Sequence, residues 1–207
     1  MAFSQTLLPE FEAEMKNTRK LLECIPDGKL ETQQHPRSIT LAQLATHVAL
    51  VPGWTKHLLD EEMLDLSPDM KPFVAASRAE LLAIFDRGVV EARGRICAAS
   101  DEYWQTTWTF KIGGDTVFSM PRAAVMRSTI MNHLIHHRAQ LGLCLRLDDV
   151  AIPGMYGPSA DEKPFGRERR SEWQWTDHRS GVFCPTSELR TRSLAKHALP
   201  ALAGEPR

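Results

Sequence analysis

Apolar residues recur three and four positions apart in four separate stretches of the first 150 residues. This period constrains the chain more than any other feature, because only an amphipathic helix gathers such residues onto one face. In the first stretch Phe11, Met15, Thr18, Leu22 and Ile25 form the stripe and Pro26-Asp27-Gly28 supplies a turn, which predicts a helix over about 5 to 25. The second opens on Thr40-Leu41-Ala42-Gln43, a capping box, and runs to about Asp60 with Leu44, His47, Val51, Trp54 and Leu58 inward. Pro52 lies within that stripe and is expected to interrupt the helix, since its ring removes a donor and crowds the preceding turn. The third opens on a second box, Ser77-Arg78-Ala79-Glu80, and carries Leu82, Phe85, Val89, Ala92 and Ile96 to about Ser100. The fourth takes Pro121 as its first helical residue and carries Met126, Ile130, His133, His137, Leu141 and Cys144 to about Leu147. Between the last two, Trp108, Phe110 and Ile112 alternate with polar residues, Gly113-Gly114 punctuates, and Val117, Phe118 and Met120 follow, which predicts a short β-hairpin within 104 to 120. The expected fold is therefore all-α: a four-helix bundle with a β-hairpin between helices three and four, covering one end.

The chain of 207 residues suits one domain plus an appendage. The break is expected after Glu162, where the helical pattern fades. Residues 163 to 207 hold nine Lys or Arg against five Asp or Glu, whereas the remainder holds 16 against 21. We expect the bundle over 1 to 162 and a poorly ordered basic extension over 163 to 207, with Pro200 and Gly204 limiting any short helix at 190 to 203. A net charge of -1 leaves no global positive field for nucleic acid, so the chain is not expected to bind it. No basic-then-apolar leader opens the sequence, and no apolar run is long enough to span a bilayer, so a cytoplasmic protein with no membrane contact is expected. Cys24, Cys97, Cys144 and Cys184 include no C-x-x-C pair and suit reduced thiols.

His133 and His137 are four apart on a predicted helix, so they project from one face and can bite one metal ion. His47 occupies the inward stripe of the second helix. Imidazoles on inward stripes need partners, and three from two helices are satisfied either by separate hydrogen bonds or by one shared cation. Three imidazoles leave a further coordination position for water or substrate, the open arrangement of a reactive site. Imidazole suits Zn, Ni, Fe and Cu alike. Two familiar metal helices are excluded: a zinc-peptidase motif needs Glu where Leu134 stands, and a di-iron carboxylate site needs Glu where Ile130 and Leu134 stand. His136 sits about 100° round the helix from His137 and is not expected to ligate. Asp60, Glu61, Glu62, Tyr156 and Asp161 are the candidate accessory groups, but no carboxylate is clearly placed as a general base, and catalytic residues stay unassigned. Trp54 is read as packing or as a pocket wall, and Arg138 and Gln140 as packing or hydrogen-bonding residues beside the ligand helix.

His133-Leu134-Ile135-His136-His137-Arg138-Ala139-Gln140, with Leu44-Ala45-Thr46-His47 upstream, resembles the DinB/YfiT-like superfamily. The resemblance extends through Thr18-Arg19-Lys20, Pro36-Arg37-Ser38, Pro52-Gly53-Trp54, Met120-Pro121-Arg122 and Tyr156-Gly157-Pro158, and so covers residues 1 to 162. Ala139 stands where the family motif usually has Gly. The resemblance implies a DinB-type bundle, commonly a homodimer, in which His47, His133 and His137 hold a divalent metal, Zn or Ni. It implies a small-molecule substrate and either thiol S-transfer, with a low-molecular-weight thiol as cosubstrate, or metal-dependent hydrolysis. A non-catalytic metal-binding protein of the stress response is the alternative.

Overall fold

The computed structural model describes residues 2–162; the basic extension expected over 163 to 207, its short helix and Cys184 lie outside the described residues. The first helix, α1 (Phe3–Glu23), buries Leu7, Phe11, Met15, Thr18, Leu21 and Leu22. Thr18 is tolerated in that seam because its hydroxyl donates to the Glu14 carbonyl at 2.8 Å. A loop leads to α2 (Leu41–Leu50), whose capping box forms as expected: Thr40 accepts from the Gln43 amide at 3.2 Å, and Gln43 accepts from the Thr40 amide at 2.8 Å. Such a cap is worth about 1 kcal/mol.

Pro52 interrupts the second helix as its chemistry requires. Val51–Gly53 forms a single 3-10 turn, after which α3 (Trp54–Asp60) resumes. The expected loop that follows hides a short strand, β1 (Met63–Leu66). Next comes α4 (Arg78–Ala98), where Ser77 accepts from the Glu80 amide while Glu80 accepts from the amide of Ala76 rather than of Ser77, so the second capping box forms only in part. The buried stripe of α4 is Leu81, Phe85, Gly88, Ala92 and Ile96, which corrects the expected places of Leu82 and Val89. A short helix, α5 (Asp101–Gln105), capped by Ser100, was not foreseen.

The hairpin is present as β2 (Thr107–Ile112) and β3 (Asp115–Pro121). Gly113 and Gly114 turn it with φ of 60° and 86°, which other residues adopt at a cost. The strands pair Trp108 with Met120 and Phe110 with Phe118 across one face, the Phe rings 5.5 Å apart. The parallel pairing of β1 with β2 makes a three-stranded sheet in the order β1-β2-β3. Pro121 is the last strand residue and the N-cap of α6 (Arg122–Val125), not the first helical residue. The chain then widens into a π-helical segment, Met126–Asn132, and returns to α geometry in α7 (His133–Leu147). The architecture is thus the expected helical bundle with a hairpin between its third and fourth rods, the second and fourth rods being broken into shorter pieces.

Packing places α4 against α1, α2 and α3, and α7 against α1 and α2. Arg19–Asp86 and Arg93–Glu12 lace α4 to α1, but exposed pairs of this kind contribute at most about 1 kcal/mol each, so the apolar seam holds the contact. Buried Arg122 acts differently. Its guanidinium caps the end of α3 by donating to the Leu58 and Glu61 carbonyls and lies over the Tyr103 ring, joining the sheet to the broken second rod.

The break at Pro52 is seated on α4 through glycine. A Cβ at Gly88 would stand 3.0 Å from the Gly53 nitrogen and 3.3 Å from its Cα, both backbone atoms that cannot swing away. Gly88→Ala is therefore expected to destabilise the protein by about 1–3 kcal/mol, as overpacking does. Urea unfolding measures this, and an unchanged midpoint would contradict the close approach.

Candidate metal centre

The three histidines come together at the seam of α2 and α7. Their ligand-capable nitrogens lie within 4.8 Å of one another. Ring centroids are separated by 4.9 Å for His47 and His133, 4.6 Å for His47 and His137, and 4.5 Å for His133 and His137. The Nε2 atoms of His47 and His133 are 2.8 Å apart, so one donates its proton to the other's lone pair. The two nitrogens thus share a position that a cation can take in place of that proton.

All three rings are half-buried rather than enclosed, which corrects the expected inward stripe of the fourth helix. On α7 the residues facing the core are Leu134, Arg138, Leu141, Gly142 and Leu145, and His133 and His137 flank that stripe. The offset leaves the imidazoles open to an incoming ligand on one side. Trp54 closes another side: its ring stands edge-on 5.3 Å from His47 and 5.4 Å from His133. The Pro52 break delivers it there, because α3 begins at Trp54 itself. The residue belongs to the site as well as to the packing.

Gln140 fixes the third ring. Its side-chain oxygen accepts from His137 Nδ1 at 2.8 Å, which keeps the proton on that nitrogen and leaves Nε2 as a lone pair, the support that ligating histidines usually receive. His136 is exposed, with its ring 4.9 Å from that of His137. Among the described residues the cluster is three histidines and no carboxylate.

Electrostatics favours the neutral form of His47 and His133. His47 is lowered from the ordinary 6.5 to about 4, first by desolvation and then by repulsion from protonated His137 and His133. His133 moves the same way, through desolvation and the charges of His137 and His136. Neutral imidazole is the ligating form, so protons compete weakly for His47 at neutral pH. The donor set and spacing fit a single divalent ion.

None of the sequence-predicted accessory groups joins the histidines. Asp60 pairs with Arg95, and Glu61 with His57 at 2.8 Å. Tyr156 bonds to Glu14 and Arg138, and Asp161 to Arg146. Glu62 is exposed. The Cys24 and Cys144 thiols are pushed up by burial and are poor nucleophiles. Cavities of about 340 and 390 Å³ lie elsewhere, one beside Asp60, Arg95 and Tyr103 and one beside Arg138, Gly142 and Met155.

A helical bundle with three clustered imidazoles between its second and fourth rods defines the class of protein in hand. The chain belongs to the DinB family, whose model matches residues 1–175. It is 25% identical over 164 residues to the uncharacterized protein YrdA of Bacillus subtilis (strain 168), covering 77% of this chain and 90% of that one. The fold is shared with a crystal structure of a DinB-like protein from Bacillus cereus ATCC 10987, with a TM-score of 0.59 and 19% identity over 75% of this chain and 98% of that one. A DinB-like protein from Bacillus subtilis, YjoA, is similar at a TM-score of 0.55 and 13% identity, over 72% of this chain and 96% of that one. Among the described residues no helix is long and apolar enough to cross a membrane.

The depressed pKa of His47 sets a pH dependence. A group that protonates less readily when folded takes up protons on unfolding, so its contribution to stability is complete above about 6.5 and is lost as pH falls towards about 4. Chelator-treated protein is expected to lose urea resistance between pH 7 and pH 5, and His47→Gln to lose less. Equal losses in both would contradict the desolvated, mutually repelling cluster.

Proposed function

We propose that His47, His133 and His137 bind one divalent metal, Zn or Ni, and that the protein uses it to react a low-molecular-weight thiol with a small electrophile. The convergence of three imidazole nitrogens, all within 4.8 Å, carries this reading. When bound, such a metal acts as a Lewis acid that lowers the pKa of a coordinated thiol or water. The chain's own residues prepare the place. His47 is held neutral by its surroundings, Gln140 keeps the His137 proton on Nδ1, and Trp54 shields one flank from water.

Thiol transfer is favoured over hydrolysis by the donor set. Hydrolysis gains from a carboxylate that takes a proton from water, and none accompanies the histidines among the described residues. A thiol needs less help, because its unperturbed pKa is already about 8.5. Burial raises the Cys24 and Cys144 thiols and no described cysteine joins the histidines, so the proposed nucleophile is an external thiol. A non-catalytic metal-binding role in a stress response is the second reading, supported by the same lack of an acid–base partner. The family resemblance further supports a homodimer, and three free described cysteines support a reducing, cytoplasmic setting.

Elemental analysis of untagged protein is expected to find about one metal per chain, and a His47→Ala, His133→Ala, His137→Ala variant to lose it. Metal-loaded protein is then expected to join bacillithiol, mycothiol or glutathione to an aryl chloride, forming a carbon–sulfur bond and releasing chloride and a proton. Metal bound without turnover on any thiol would favour the non-catalytic reading. Equal metal in protein and variant would overturn the site.

A further inference from the structure

The arginine next to the last histidine does not serve the histidines. Arg138 turns away from them into the bundle, where it is only 3% exposed, and meets α1. Its Nη1 donates to the Glu14 carbonyl at 3.0 Å and to the Thr18 hydroxyl at 3.1 Å. Its Nη2 lies 2.6 Å from the Glu14 carboxylate, itself buried, and donates to the Tyr156 hydroxyl at 2.6 Å. Tyr156 in turn donates to the Glu14 carboxylate at 2.9 Å, although the residue as a whole is 71% exposed. The backbone of the same segment is tied to α1 by Asn17, which donates to the Met155 carbonyl at 3.0 Å. Asp161 adds a second tie by pairing with Arg146 on α7.

A buried ion pair is an expensive way to join two helices, since apolar side chains of similar volume often hold a bundle as well or better. What the pair adds is geometry. A guanidinium is a rigid planar fork, and one gripped from α1 and from the segment after α7 allows a single rotation of α7 about its axis. That rotation decides where His133 and His137 stand, because they share α7 with Arg138 while His47 sits on a different helix. The π segment Met126–Asn132 immediately before His133 makes such a clamp useful, as its wide turns leave the entry to α7 less regular than an α-helix would.

We propose that Glu14, Arg138 and Tyr156 are positioning residues for the three-histidine site: they lock the rotation of α7 so that His133 and His137 face His47 at metal-binding distance. This rests on the metal reading above, and the test separates the two. The informative variant replaces both charges at once, Glu14→Met with Arg138→Met, leaving no buried charge unpaired. Tyr156→Phe is the milder companion, and Arg138→Lys keeps the charge without the fork.

Metal affinity is measured by competition against a chelator on full-length protein, thermal unfolding is measured on the metal-free form, and the visible absorption of bound Co(II) reports its coordination. The double Met variant is expected to keep its melting temperature within a few degrees, to bind metal at least tenfold more weakly and to show an altered Co(II) spectrum. Tyr156→Phe is expected to weaken binding less, and Arg138→Lys not to restore wild-type affinity. If the double variant does not fold, Tyr156→Phe decides alone. Wild-type affinity and an unchanged spectrum in the folded variants would overturn the proposal while leaving the metal site intact. No metal bound by the wild-type protein would overturn both.

Discussion

Three imidazoles meet in a half-buried seam where two of them are held uncharged, and the rest of the structure is arranged around that meeting. Desolvation and mutual repulsion hold His47 and His133 neutral, and the Nε2 atoms of these two rings compete for one proton across 2.8 Å. In an ordinary core this would be a defect that hydrogen bonds to carbonyls or hydroxyls repair. Here only His137 receives that repair, from Gln140, and it receives it on Nδ1. The ligand-capable nitrogens of the three rings lie within 4.8 Å of one another, which is how a cation site differs from three separately satisfied histidines.

Local breaks in helical geometry make the meeting possible. Pro52 ends α2 shortly after His47, and the 3-10 turn at Val51–Gly53 lets α3 begin at Trp54, against the same rings. Gly88 gives that turn a seat on α4 that no side chain would leave room for. On the opposite rod, the π segment Met126–Asn132 ends where His133 starts, and Arg138 ties the following turn to α1. Irregularity is thus concentrated on the two rods that carry the ligands, whereas α1 and α4 run unbroken for 21 residues each.

Much of this was legible from the sequence because its causes are local. The stripe and terminal turn of α1, the Thr40 box, the Pro52 break and the Gly113-Gly114 hairpin each depend on a few neighbouring residues. The i, i+4 spacing of His133 and His137, with His47 on another helix, likewise placed the cluster. What escaped depends on partners far along the chain. The strand β1 is four residues long and exists through parallel pairing with β2, which no local pattern announces. The stripe of the fourth helix buries Met126, Ile130 and Leu141 as expected but leaves His133 and His137 at its edge, because Arg138 takes the inward place and is buried through Glu14, 124 residues away. Periodicity counts a charged residue as outward. A salt bridge between two inward charges reverses the sign, and the nearest hint was Glu14 one residue before Met15 in an apolar seam. Tyr156 and Asp161, candidate accessory groups on the sequence, are bound to Arg138 and Arg146 instead of the histidines.

The most direct test of the account is the position of the ion itself. Crystals of full-length protein grown with Zn or Ni, with diffraction recorded on either side of the metal absorption edge, would give an anomalous difference map. The account predicts one strong peak bonded to nitrogens of His47, His133 and His137, with Gln140 still accepting from His137 Nδ1. A peak elsewhere, or three histidines still hydrogen-bonded among themselves at saturating metal, would contradict it.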